Sequence, residues 1–153
     1  MYIVSSCLMG NNCKYNGGNN LNSCVKEFLK DKKYVEVCPE VAGGLPTPRP
    51  ASEFAPDGSG KIINTEGKDV TVHFVMGSIM EFSKAMEESI IDDEALEGAI
   101  LKAKSPSCGK GKIYDGTFSG TLKEGNGCFA AKLIEAGIPV ITEKELEKKE
   151  NGR

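Results

Sequence analysis

The sequence lacks several things that commonly announce a function. Its 153 residues include no tryptophan and one histidine, His73. Lys and Arg number 19 against 22 Asp and Glu, a formal net charge of −3. The basic excess that marks nucleic-acid binders is therefore missing, and no clear nucleic-acid surface is expected. No apolar run approaches the ~18 residues that read as a membrane-spanning helix. The N-terminus has no basic stretch followed by an apolar core, so it does not read as a secretory signal. The chain is expected to work in the cytoplasm, with no membrane partner. No segment repeats, and no CxxC pair occurs.

What the chain does have is sulfur: Cys7, Cys13, Cys24, Cys38, Cys108 and Cys128. Cytoplasmic thiols are kept reduced, which argues against a disulfide framework. Cys24 and Cys128 fall in helical patterns and read as small core residues. The other four sit in or beside loops. Apolar residues at 39% and charged residues at 27% suit one globular domain over residues 1–153. His73 opens a long helical stretch and reads as a surface or packing residue.

Hydrophobic patterning gives the order of elements. Tyr2–Ser5 and Tyr34–Val37 read as strands, separated by a helix over residues 20–31. In that helix Leu21, Cys24, Val25, Phe28 and Leu29 fall on one face. Residues 38–56, CPEVAGGLPTPRPASEFAP, hold five prolines. That density argues against a regular helix or a central strand, so the segment reads as an ordered loop. Residues 61–64 and 68–71 suggest a small hairpin around Thr65-Glu66-Gly67. Thr71–Ile91 is the longest helical stretch, with Phe74, Val75, Ile79, Phe82, Met86 and Ile90 assigned to one face. Residues 98–102 read as a buried strand, residues 113–114 as a short turn or strand, and residues 127–136 as a helix stopped by Gly137. Residues 138–141 form a last strand, and a charged helical tail, TEKELEKKE, follows with a fraying end.

Strands alternating with helices predict a mainly parallel sheet. The expected fold is α/β, a three-layer Rossmann-like domain with helices on both faces and a small β-hairpin insertion. In such a sheet the carboxyl ends of the strands share one edge, where ligand sites form. Cys7 follows the first strand, Cys38 ends the second and Cys108 follows the third, so three distant thiols are predicted to converge. Convergent reduced thiols suit a soft metal or an iron–sulfur cluster. Three cysteines with a vacant fourth position would fit a [4Fe-4S] cluster with one open iron. A four-thiolate zinc site that adds Cys13, or plain reduced thiols, are the alternatives. Glu40 stands two residues from Cys38, Gly43-Gly44 permits close backbone approach, and Ser105 and Ser107 flank Cys108. Read structurally, Glu40 caps a turn or pairs with Arg49, and the serines bond loop backbone.

Three stretches, SSCLMGNNCKYNGG, VCPEVAGGLPTPRPASE and LKAKSPSCGKGKIYDGTFSG, in this order and spanning about residues 4–143, resemble the thiouracil desulfurase family. The combination of CPE…GGLPTPR with SPSCG is specific; neither element alone would be. The resemblance implies a [4Fe-4S] enzyme that desulfurates thiolated pyrimidines such as 2-thiouracil without net redox change, releasing uracil and sulfide. By motif the cluster ligands fall on Cys7, Cys38 and Cys108, and the substrate sulfur on an open cluster iron. Cys13 becomes a neighbour, because the family often has a branched apolar residue there. Glu40 is the first candidate general base. Ser105 and Ser107 would orient the substrate or relay a proton, and Asn11, Tyr15, Gly44 and Arg49 would form the pocket. Lys14 and Asn16 stand where Arg and Asp are common in the family. Lys14 keeps the charge without the planar donor fork, and Asn16 keeps the shape of Asp without its charge. The implied partners are a small thiolated nucleobase and the iron–sulfur assembly machinery. The rival readings are a non-catalytic iron–sulfur or sulfur carrier, a structural zinc-binding protein and a redox-sensing thiol protein.

Overall fold

A computed structural model describes residues 1–151. Its centre is a four-stranded, all-parallel sheet of β1 (Tyr2–Ser5), β2 (Tyr34–Val37), β5 (Gly98–Leu101) and β8 (Val140–Thr142), in the order β2-β1-β5-β8. Tyr2 lies opposite Tyr34 on one side and Gly98 on the other, and Ala99 lies opposite Val140. Side chains alternate across the pleat, so the sheet feeds two cores. Ile3, Val37, Ala99 and Leu101 pack with Ala85 of α3 (Thr71–Ile91) and with Phe129 and Leu133 of α4 (Cys128–Glu135). Val4 and Ile100 face the other way, onto Val25 and Leu29 of α1 (Ser23–Leu29) and Leu146 of α5 (Glu143–Asn151). This is the expected three-layer α/β architecture.

Helix ends follow local chemistry. The Asn22 side chain accepts from Val25 N–H at 3.0 Å and caps α1. Residues 20–22, placed in the helix by the sequence, therefore lie outside α1, and Asn20 is free to act elsewhere. Gly137, at φ +80°, donates its N–H to Ile134 O at 3.0 Å and stops α4. The charged tail is docked at its start: Glu143 and Leu146 are buried. The predicted fraying of its end falls partly on residues 152–153, outside the described residues.

Four local expectations are corrected. The proline-rich segment contains a one-turn helix, α2 (Pro39–Ala42), because Pro39 takes the first helical position, where no N–H is needed. It also contains β3 (Ser52–Phe54), a proline-free stretch between Pro50 and Pro56 that pairs antiparallel with β4 (Ile62–Asn64). The predicted partner at 68–71 contributes one bridge, Ile63 to Asp69. Asn64 Oδ1 accepts from Glu66 N–H and Lys68 N–H and tightens that turn, and the chain then leaves to open α3. A second hairpin joins β6 (Lys112–Tyr114) to β7 (Leu122–Glu124), a strand that sequence patterning missed. Finally, α3 does not gather its apolar residues on one face. Phe74 is fully buried, whereas Val75, Ile79, Met86 and Ile90 are exposed.

Candidate active site

Each of the three strand ends delivers a cysteine. β1 runs into a 3-10 turn, Ser6–Met9, which is anchored by buried Leu8 and carries Cys7. β2 ends at Val37, and Cys38 follows it at the N-cap position of α2. Past β5, the Ser105 hydroxyl accepts from Cys108 N–H at 2.8 Å, and Ser105 O accepts from Gly109 N–H at 2.9 Å. This turn is pressed on Gly127, where an added Cβ would stand 2.6 Å from Ser107 O. From β1 the chain moves to β2 on one side of the sheet and later to β5 on the other. The cysteines thus sit at the crevice where strand order reverses.

Cys7, Cys38 and Cys108 line one cavity of about 590 Å³. Glu40, Arg49, Ser105, Ser107 and Tyr15 line it too, as the sequence predicted, together with Cys13. Asn11 and Gly44 are not among the lining residues. The Asn11 amide donates to Ser6 Oγ at 2.9 Å and also to Glu36 Oε1. Gly44, at φ +95°, donates its N–H to Val41 O and closes the α2 turn.

The carboxylate of Glu40 is held on both oxygens. Oε1 accepts from Arg49 Nε at 3.1 Å, and Oε2 accepts from Ser107 Oγ at 2.9 Å. Arg49 is buried. Its other nitrogens donate to Thr47 Oγ1, Pro46 O and Cys13 O, and its backbone N–H donates to Tyr15 O at 2.7 Å. One guanidinium therefore ties the proline-rich loop, the first cysteine loop and the carboxylate together.

The thiols differ in electrostatic setting. Burial pushes Cys7 up, partly offset by the Asn20 amide, whose Nδ2 donates to Cys7 Sγ at 3.3 Å. Burial also pushes Cys108 up, against hydrogen bonds from Ser5 and Ser107. Cys38 is lowered to about 7, first by the hydrogen bond from the Cys13 thiol, then by Val41 N–H and the Arg49 guanidinium. Cys13 is raised, because it donates that bond and is itself partly buried. The Cys38 thiol also donates to Cys13 O at 3.8 Å.

Several site residues were not singled out in the sequence. Asn20 was hidden inside the predicted helix. Glu81 of α3 reaches across to accept from Cys38 N–H at 2.7 Å. Buried Glu53 accepts from Gly116 N–H and Phe118 N–H, and so holds the loop that brings Phe118 and Gly120 to the cavity rim, next to Tyr114. The glycines of YDGTFSG were the only sequence signal for that loop. Lys102, which by sequence alone reads either as a solvated charge or as a cation that raises the potential at the site, lines the cavity and pairs with Glu143 at 3.0 Å.

Fold and site together define an α/β protein with a thiol-lined crevice at the carboxyl edge of its sheet. The chain belongs to the 2-thiouracil desulfurase family, whose model matches residues 2–145. It is 41% identical to the uncharacterized protein YbbK of Bacillus subtilis (strain 168), over 95% of this chain and 97% of that protein. A solved structure, the [4Fe-4S]-dependent thiouracil desulfidase TudS, superposes with a TM-score of 0.82 at 34% identity, covering 96% of this chain and 93% of that one. No helix among the described residues is long and apolar enough to cross a membrane.

Proposed function

We propose that this chain removes sulfur from a thiolated pyrimidine such as 2-thiouracil, with a [4Fe-4S] cluster held by Cys7, Cys38 and Cys108. The observation that carries the reading is the meeting of three thiols, from three separate strand ends, on one cavity with the Glu40–Ser107 pair. The donor set fits the group: soft sulfur ligands suit iron–sulfur clusters. Among the described residues no three Cys, His, Asp or Glu side chains close on a single ion. The cavity of about 590 Å³ leaves room for a polynuclear group and a base-sized substrate. When bound, a cluster with three protein ligands supplies an open iron, a soft Lewis acid for a thiocarbonyl sulfur.

The chain's own groups supply the rest. Glu40 accepts a proton from the water that adds to the thiocarbonyl carbon. Arg49 and Ser107 take one bond on each of its oxygens, and a carboxylate retains acceptor capacity beyond these two. Ser107, 3.4 Å from Ser105 Oγ, carries protons between Glu40 and the substrate. As the new C–O bond forms the C–S bond breaks, and the products are uracil and sulfide with no oxidant or reductant. Tyr15, Tyr114 and Phe118 line the cavity and supply aromatic surface for the pyrimidine. The setting is cytoplasmic, where thiols stay reduced, and the iron–sulfur assembly machinery loads the site.

The test is anaerobic reconstitution followed by incubation with 2-thiouracil. The expected result is about four iron and four sulfide per chain, and uracil and free sulfide in equal amounts. Glu40→Gln is expected to keep the iron and lose roughly 10²- to 10⁴-fold in kcat, the usual worth of a general base. A fully loaded protein that releases no sulfide would sink the proposal and leave the carrier reading.

A further inference from the structure

α3 carries two opposite apolar stripes, one inward and one outward. Its inner face, with Phe74, Gly77, Ser78, Glu81 and Ala85, is buried against the sheet and α2. Its outer face carries Val72, Met76, Ile79, Ser83, Met86 and Ile90, spaced four, three, four, three and four residues apart. That is the seam of a helix that packs on another helix. Val72 is 72% exposed and Ile90 76%. A contiguous exposed apolar stripe of this kind marks an interaction surface.

We propose that this face joins two copies of the chain, α3 against α3, antiparallel about a two-fold axis. With the flanking Val75 and Met80, the seam presents seven apolar side chains, each 41–76% exposed, along a 21-residue helix, the kind of surface from which an interface of ~800 Å² per partner is built. Shape fits as well. The outward end of α3 carries a groove lined by Phe82, Ser83, Met86, Glu87, Ile90 and Ile91. In the antiparallel register Val72 meets Ile90, Met76 meets Met86, and Ile79 sits over the small Ser83. The beginning of each helix thus fills the groove at the end of the other, and the contact is self-complementary, as a two-fold dimer requires.

Charge selects the direction. Residues 71–80 contain no acid, whereas residues 81–91 contain Glu81, Glu87 and Glu88 against Lys84 alone. A parallel pair would set Glu87 against Glu87. The antiparallel pair sets it near the partner's helix N-terminus, whose dipole is positive. The thiol-lined cavity is at the sheet edge and is not part of this seam.

Sedimentation of the full chain between 1 and 100 μM tests this. The expected species has twice the 16.4 kDa chain mass. Val72→Glu and Ile90→Lys are each expected to weaken the dimer at least tenfold with the circular dichroism unchanged. An equimolar mixture of the two is expected to recover it, because Glu at 72 then faces Lys at 90. If either variant fails to fold, Ser83→Lys, a polar change on the exposed face, serves for the loss arm. A monomeric wild type at 100 μM overturns the proposal, whether or not it floats with vesicles or captures another helix. A dimer that survives all three variants overturns it too, and a mixture that stays monomeric overturns the antiparallel register.

Discussion

Cys13 and Cys38 stand side by side, yet they are not equivalent. Cys38 sits at the N-cap of α2, donates its thiol to Cys13 O at 3.8 Å, faces Arg49 and is lowered to about 7. Cys13 is raised, and its carbonyl is already the acceptor for Arg49 Nη2 at 2.9 Å. We read Cys13 as a neighbour of the ligand set, tied through its carbonyl to Arg49 and Cys38. Cys13→Ser is expected to retain most of the iron, whereas Cys7→Ser, Cys38→Ser and Cys108→Ser lose it. Iron analysis of the four reconstituted variants decides this; equal loss at Cys13 would make it a fourth ligand. The sequence showed all four thiols, but not which of them donates to which. That depends on the depth and direction of each side chain, which spacing does not encode.

At the level of elements, the position of Cys38 and Glu40 depends on two backbones in contact. α2 lies on α3 through Gly43 and Gly77. A Cβ at Gly77 would fall 1.7 Å from Pro39 O, and one at Gly43 would fall 1.8 Å from His73 O. Nothing but glycine fits at either position without displacing α2. Gly77→Ala is expected to cost about 1–3 kcal/mol or more, as overpacking does, and to lower iron retention as Cys38 moves. Denaturant melts and iron content read the two effects separately. Full stability with displaced iron would mean that α2 shifts freely. The regular elements were legible because their periods are local: residues 2–5, 34–37, 71–91 and 98–101 hold near their predicted bounds. The hairpins were not. β3 and β7 are three-residue strands, too short to show an alternation, and their pairing is decided by Asn64, by Glu53 and by the prolines on either side.

Across the whole molecule the charged tail is structural. Leu146 of α5 completes the core that Val4, Val25, Leu29 and Ile100 share. Glu143 accepts from Ala103 N–H at 2.7 Å and pairs with Lys102 on the cavity wall. Leu146→Ala is expected to destabilise the fold by about 2–5 kcal/mol, the usual range for emptying such a site. The thermal midpoint measures it; an unchanged midpoint would show the tail to be an appendage. By sequence alone the tail looked peripheral, because one leucine among nine mostly charged residues gives little sign of burial.

By itself the sequence determined the parallel α/β layout, the place of three cysteines at one sheet edge and, through three motifs, the family. Those rest on local periodicity, on the fixed geometry of strand–helix–strand crossovers and on residue identity. Only the tertiary structure decided that Glu40 is clasped between Arg49 and Ser107, that Asn11 and Gly44 stand back from the cavity while Asn20 and Glu81 serve the cysteines, and that α3 has an uncovered apolar face. Each of these depends on residues far apart in the chain meeting in space, and pairings of that kind leave no period in a sequence.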